Sequence, residues 1–181
     1  ISMIKALASL FRISLSRGNN IITIRDEITH ARNYLEIQKV RYKNRFSYEI
    51  DIDPEIEECV TIKLIIQPLI ENAIYYGVEH MDGDGRIMIK GYEKNGDIYI
   101  DVSDNGMGIP QDTLQKLLTD KTKTHGKGSG IGLWNVHQRI SLYFKNNYGL
   151  SIKSELDEGT VVTVHLPHIT YEEYKGGGTG Q

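Results

Sequence analysis

At Phe46 the spacing of apolar residues drops from that of a helix to strict alternation. Before this point Ile28, Ala31, Tyr34, Leu35, Ile37 and Gln38 recur at helical intervals, as a 3.6-residue turn requires. From it, Phe46, Tyr48, Ile50 and Ile52 alternate with Ser47, Glu49 and Asp51 until Pro54, the pattern of a half-buried strand. The period then keeps switching. Residues 63–77 predict a strongly apolar helix, and residues 86–92 and 97–102 predict two strands joined through Lys94-Asn95-Gly96. A short helix follows over 110–118 and a longer one over 131–144, and a second hairpin joins 150–154 to 160–166 through Asp157-Glu158-Gly159. This order predicts an α+β fold, a two-layer α/β sandwich. Helices cover one face of a mixed, mostly antiparallel sheet, and a helical segment precedes it.

That leading segment is amphipathic, with Met3, Ile4, Leu7, Leu10, Phe11 and Leu15 at helical spacing over residues 1–16 and a stop at Gly18, Asn19 and Asn20. Thr23, three residues before Asp26, forms a capping-box-like start for the second helix. Residues 119–130 are polar and glycine-bearing, which predicts a mobile loop. Beyond Lys175 the chain is mostly glycine, so residues 171–181 are expected to form a flexible tail. The 181 residues suffice for one sizeable core with an appendage, divided here as 1–40, 41–170 and 171–181.

Charge and cysteine narrow the function classes. Lys plus Arg number 21 against 24 Asp plus Glu, a net charge of -3. This balance argues against direct nucleic-acid binding. Cys59 is the single cysteine, so no internal disulfide forms, no zinc spacing exists, and a reducing, cytoplasmic setting fits. No apolar run approaches the roughly 20 residues of a spanning helix. The chain begins at Ile1 without an initiator Met or a signal-peptide pattern and reads as part of a longer protein.

Several residues carry recognisable chemistry. Asn72 offers a neutral amide oxygen from a helix, sufficient for a magnesium ion that keeps several waters and phosphate oxygens. Asp104 lies just past a strand and before a glycine turn, where its carboxylate can accept a hydrogen bond from an exocyclic amine such as that of adenine. Gly106 and Gly108 let the backbone pass close to a base. Gly126, Gly128, Gly130 and Gly132 precede a helix beginning near Leu133, so backbone N–H groups and a helix N-terminus can converge on phosphates. Ser129 adds a hydroxyl, and Lys127, with Lys121 and Lys123, adds positive charge. The run does not end in Gly-Lys-Ser/Thr and no strand directly precedes it, so neither a P-loop nor a Rossmann fingerprint applies. Singly, each feature has a plainer reading. Glu71 and Asn72 are then solvated helix residues, Asp104-Asn105-Gly106 an ordinary turn, the glycines a flexible loop and Thr160 a good β-former.

Together and in this order, four segments resemble the asparagine box, the two glycine boxes and the terminal Gly-Thr of the GHKL ATPases. They are Gln67-Pro68-Leu69-Ile70-Glu71-Asn72-Ala73, Asp104-Asn105-Gly106-Met107-Gly108-Ile109, Gly128-Ser129-Gly130-Ile131-Gly132-Leu133 and Glu158-Gly159-Thr160. The group contains gyrase, a heat-shock chaperone family, MutL and the histidine kinases. Likeness to YesM/LytS-type sensor histidine kinases runs over nearly the whole chain, to Pro167. It includes Tyr34-Leu35-Glu36-Ile37-Gln38, Arg41-Tyr42, Ile50-Asp51-Ile52-Asp53 and Gly130-Ile131-Gly132-Leu133-Trp134-Asn135-Val136.

The resemblance implies a Bergerat-type (GHKL) fold and an ATP site. Its residues are Asn72 (the Mg2+ ligand), Tyr76, Asp104, Gly106, Gly108, Ile109, Lys127, Gly128, Ser129, Gly130, Ile131, Gly132, Leu133 and Thr160, with Glu71 the nearest acid for catalysis. It implies transfer of the γ-phosphoryl group of ATP to a histidine on a dimerising helix pair and from there to a response regulator. The parent protein is then a membrane-anchored homodimer and this chain its cytoplasmic part, with residues 1–40 ending the dimerisation and phosphoacceptor region and 41–170 forming the catalytic domain. The family's acceptor sits in an Asn-Pro-His-Phe-like segment, and none of His30, His80, His125, His137, His165 or His168 has that context. They read as surface or structural histidines, so the chain alone is not expected to autophosphorylate. Three departures stand out: Tyr75 and Tyr76 replace the usual Lys-His, Pro68 stands where other GHKL branches carry Asn or Glu, and the polar loop has no Phe-rich box, as in the YesM/LytS branch. Two alternatives remain at this level, a GHKL ATPase or serine kinase with water or a protein hydroxyl as acceptor, and a nucleotide-binding interaction module without transfer.

Overall fold

The computed structural model describes residues 20–79, 81, 83–117, 131–145 and 147–176. In chain order its elements are β1 (Ile21–Thr23), α1 (Ile24–Arg41), β2 (Phe46–Ile52), β3 (Val60–Ile62), α2 (Ile66–Asn72), β4 (Gly85–Lys94), β5 (Asp97–Asp104), α3 (Gln111–Leu117), α4 (Ile131–Phe144), β6 (Gly149–Glu155), β7 (Gly159–Pro167) and α5 (Tyr171–Gly176). A 3₁₀ turn (Pro54–Ile56) follows β2, and a π-helical turn (Ala73–Val78) extends α2.

Thr23 caps α1 as its sequence predicts, its hydroxyl accepting the Asp26 N–H at 3.1 Å and so satisfying an otherwise orphaned donor. Asp26 and Glu27 in the first turn and Lys39 and Arg41 in the last match the helix dipole. The alternating stretch forms β2, and Pro54 ends it. The main sheet has the order β2-β4-β5-β7-β6, with β2 parallel to β4 and every other pair antiparallel. Asn95 (φ 56°) and Gly96 (φ 82°) form the two-residue loop between β4 and β5, the left-handed pair that a tight hairpin demands.

Alternation turns Ile87, Ile89, Ile98, Ile100, Val102, Val162, Val164 and Leu166 toward the helices. There they join Ile24, Leu35, Leu69, Ile70, Leu133, Val136 and Ile140 in one buried cluster. The opposite sheet face carries Tyr92, Tyr99 and His165 as a stacked row, with centroids 5.7 and 4.7 Å apart. The α+β sandwich expected from the period changes is the fold observed, and α1 shares its core with the sheet.

Three expectations are corrected. Residues 63–77 form no single α-helix. Leu64 is left-handed (φ 60°), and the buried Glu27 carboxylate accepts the N–H groups of Leu64, Ile65 and Ile66, each at 2.8 Å, so the helix starts at Ile66. From Ala73 the hydrogen bonding widens, and the Glu79 N–H reaches the Ile74 carbonyl at 2.8 Å. Second, β1 and β3 pair antiparallel where no strand is predicted, because Val60–Ile62 is buried throughout and shows no alternation. Third, the tail expected over 171–181 is helical at its start. Thr170 and Glu173 bond reciprocally through Thr170 N–H and Oγ1 to Glu173 Oε2 and Glu173 N–H to Thr170 Oγ1, a capping box, while Tyr171 and Tyr174 pack on the core. The helix expected over 1–16 and the loop expected over 119–130 lie outside the described residues. No described helix is long and apolar enough to cross a membrane.

Candidate functional site

The π turn joins the asparagine segment to the first glycine segment. In an α-helix, residues five apart point about 140° from each other. Bonding from i to i+5 puts more residues in each turn, so Gly77 swings back toward the side that carries Asn72. Gly77 then meets the turn after β5. A Cβ on Gly77 would stand 2.5 Å from Asp104 Oδ1, and one on Gly106 would stand 2.1 Å from the Gly77 Cα. The two backbones touch there, and no other residue fits.

Asp104 follows Ile98, Ile100 and Val102 on the inward-facing parity of β5, so the same alternation that builds the core turns a half-buried carboxylate toward the helix side of the sheet. Burial raises its pKa to about 6, against the pull of hydrogen bonds from the Gly106 and Thr160 backbone N–H groups; the Gly106 bond is 2.9 Å. Asn105 fixes the turn, its Oδ1 accepting the Arg86 N–H at 2.6 Å and its Nδ2 donating to the Asp84 carbonyl at 3.0 Å. Buried Ser154 ties the next stretch to the sheet. Its hydroxyl accepts the Ile109 N–H at 2.7 Å, donates to the Gly159 carbonyl at 3.0 Å and shares a 2.8 Å bond with the Thr160 hydroxyl. Gly108 (φ 71°) passes so close to the Glu155 carbonyl that a Cβ would lie 2.0 Å from it.

The same helical stretch borders a cavity of about 320 Å³ lined by Pro68, Glu71, Asn72, Tyr75, Tyr76, Gly132 and Leu133. It brings the asparagine segment against the start of α4, the helix that follows the second glycine run. The Asn72 side chain makes no capping hydrogen bond. Tyr75 and Tyr76 meet edge to face at 4.9 Å and stay 40% and 37% exposed, offering aromatic faces at the cavity wall. Glu71 Oε1 accepts Gln67 Nε2–H at 2.8 Å and the Tyr34 hydroxyl at 3.2 Å.

The predicted residues therefore fall into two adjoining groups. Glu71, Asn72, Tyr76, Gly132 and Leu133 line the cavity, with Ile131 opening α4 beside them. Asp104, Gly106, Gly108, Ile109 and Thr160 gather at one end of the sheet, and Gly77 is the contact between the groups. Lys121, Lys123, Lys127, Gly128, Ser129 and Gly130 lie outside the described residues. Sequence reasoning missed Gly77, Ser154 and Tyr34, because each acts through a contact distant in the chain.

No histidine lines the cavity among the described residues. His137 Nδ1 accepts the Leu150 N–H at 3.0 Å, His165 Nε2 lies 2.8 Å from Asp97 Oδ2, and His168 Nε2 lies 3.6 Å from Cys59 Sγ. His30 is buried with both ring nitrogens unpartnered. No group of three or more His, Cys, Asp or Glu suited to a metal occurs among the described residues.

Helices on one face of this sheet, with an asparagine-bearing helix abutting a half-buried aspartate at a glycine turn, define an ATP-binding domain of the GHKL class. Residues 58–170 match the model of the histidine kinase-, DNA gyrase B-, and HSP90-like ATPases, and residues 1–46 match a histidine kinase model. The chain belongs to the histidine kinase-, DNA gyrase B-, and HSP90-like ATPase family. It is 38% identical to the sensor histidine kinase YesM of Bacillus subtilis over 91% of this chain and 27% of that protein. It is 33% identical to the sensor protein LytS of Staphylococcus saprophyticus over 93% and 28%. The chain thus spans little more than a quarter of the length of these relatives. Among solved structures, the catalytic domain of the histidine kinase ThkA superposes with a TM-score of 0.61 at 16% identity, over 82% of this chain and 95% of that one. A histidine kinase domain from Erythrobacter litoralis gives 0.58 at 16% identity over 96% and 76%. These two likenesses concern the fold.

Proposed function

We propose that this chain binds Mg-ATP and transfers the γ-phosphoryl group to a histidine outside residues 1–181, as the catalytic domain of a sensor histidine kinase. The observation that carries the reading is Asp104, a half-buried carboxylate whose pKa desolvation raises to about 6 and which is held at the glycine turn that touches the Asn72 helix. The Gly106 and Thr160 N–H groups offset only part of the desolvation of this carboxylate, and the adenine amine supplies a further donor. Tyr76 and Leu133 give the cavity an apolar wall, and the backbone at Gly132, on the first turn of α4, faces the phosphates.

Asn72 fits magnesium. Its amide oxygen is a hard ligand, its side chain takes part in no cap, and no carboxylate cluster competes for the ion among the described residues. The ion would offset phosphate charge. In the transfer, the lone pair of an imidazole nitrogen forms the N–P bond while the bond from phosphorus to the bridging oxygen breaks and ADP takes that electron pair. The proton on the other imidazole nitrogen passes to Glu71, the acid lining the cavity.

In this reading residues 1–40 end the dimerisation and phosphoacceptor region, a proposal supported by the histidine kinase match over 1–46. Residues 41–170 are the catalytic domain, a response regulator takes the phosphate, and the domain faces the cytoplasm of a cell whose membrane holds the dimeric parent. Tyr75 and Tyr76 favour a second reading, a module that retains nucleotide without transferring phosphate. Joining the chain to an upstream helix with a histidine acceptor and supplying γ-labelled ATP separates the outcomes. Acid-labile phosphohistidine is expected; nucleotide retention without it favours the module, and steady hydrolysis abolished by Glu71→Ala favours water as acceptor.

A further inference from the structure

Glu71 is exposed, and an exposed glutamate ordinarily samples several rotamers that must be frozen before it can act. Here donors from two helices reach the same oxygen. Gln67, one turn earlier on α2, donates to Oε1 at 2.8 Å, and the Tyr34 hydroxyl on α1 donates to it at 3.2 Å. Among the described residues Oε2 has no hydrogen-bond partner. The Tyr34 ring packs on the hydrophobic core, so its hydroxyl is delivered by a fixed side chain. Burial and the adjacent Glu71 carboxylate push the hydroxyl well above its usual range, so it remains a donor.

We propose that Tyr34 is a positioning residue for phosphoryl transfer: it holds the Glu71 carboxylate by Oε1 and leaves Oε2 to receive the proton, which makes α1 part of the reactive geometry. The proposal rests on the nucleotide site described above. Its mechanical basis is that α1 grips α2 twice. Glu27, seven residues before Tyr34 and therefore on the same side of the helix, binds the backbone of Leu64, Ile65 and Ile66 at the head of α2, and Tyr34 reaches Glu71 near its end. Arg139 of α4 secures the same head from the other side, donating to the Lys63 and Leu64 carbonyls at 2.7 and 3.2 Å. A shift of α1 thus reaches Glu71 directly.

The test uses the chain joined to an upstream acceptor helix, with phosphohistidine formation followed as a function of ATP concentration. Tyr34→Phe keeps the ring and removes the donor. It is expected to lower kcat about tenfold, the size of a lost hydrogen bond to a charged group, and to leave KM for ATP within about twofold. In a Glu71→Gln background it should cost nothing more. Gln67→Leu, which removes the other donor, should show the same kcat-specific loss and serves if Tyr34→Phe folds poorly. An unchanged kcat, a rise in KM alone, or losses that multiply in the double variant would overturn the proposal. Absence of ATP binding by the unmodified chain in calorimetry would instead overturn the nucleotide reading beneath it.

Discussion

Asp104 gives the site a pH signature with two opposed signs. Its carboxyl titrates near 6 when folded and near 3.9 in an unfolded chain, so the folded state holds the proton more tightly between those values. Its contribution to stability is full below about 4 and is lost as pH rises through 6. Nucleotide affinity runs the other way, because the ionised carboxylate is the better acceptor for an amine. Thermal melts of the apo protein from pH 4 to 8 should show Asp104→Asn more stable than the parent at pH 7, by up to about 3 kcal/mol at about 1.4 kcal/mol per tenfold change in proton affinity. The difference should vanish near pH 4, and ATP affinity of the parent should weaken below pH 6. Asp104 and Asn72 were legible because residue type alone names their chemistry. Gly77 was not, since its need for a missing side chain arises from Asp104, which the chain reaches only through two further strands.

Elements with clear periodicity were legible almost to the residue. Ile131–Phe144 and Phe46–Ile52 have the predicted bounds, because each turns one apolar face to the core, and Pro54 stops the strand. The start of α2 is set by a tertiary contact, the Glu27 carboxylate, which no local pattern encodes. Glu27→Ala would leave three backbone N–H groups without their acceptor, and chemical denaturation should show a loss of about 3 kcal/mol or more. On the same helix, His30 is buried without partners and desolvation lowers its pKa. An unfolded histidine titrates near 6.5, so below that pH the unfolded chain binds the extra proton and stability falls with pH. His30→Leu should flatten this decline, read as the difference between the two proteins' denaturation midpoints at pH 7.5 and pH 5.5.

At the scale of the molecule, one core carries both groups of site residues. α1 and α2 cover the sheet, the π turn brings Gly77 onto the β5 turn, and α4 closes the cavity with Gly132 and Leu133. The fold class was legible because alternating and helical periods take turns along the chain. The π turn was not, since its residues read equally well as α-helix. In the proposed complex a nucleotide bridges Asp104 and Asn72. Isothermal titration of the 181-residue chain with ATP in the presence of magnesium tests this most directly. The predicted result is saturable binding, weakened at least about tenfold by Asp104→Asn and by Asn72→Ala. Either no binding by the unmodified chain or an affinity untouched by Asp104→Asn would contradict it.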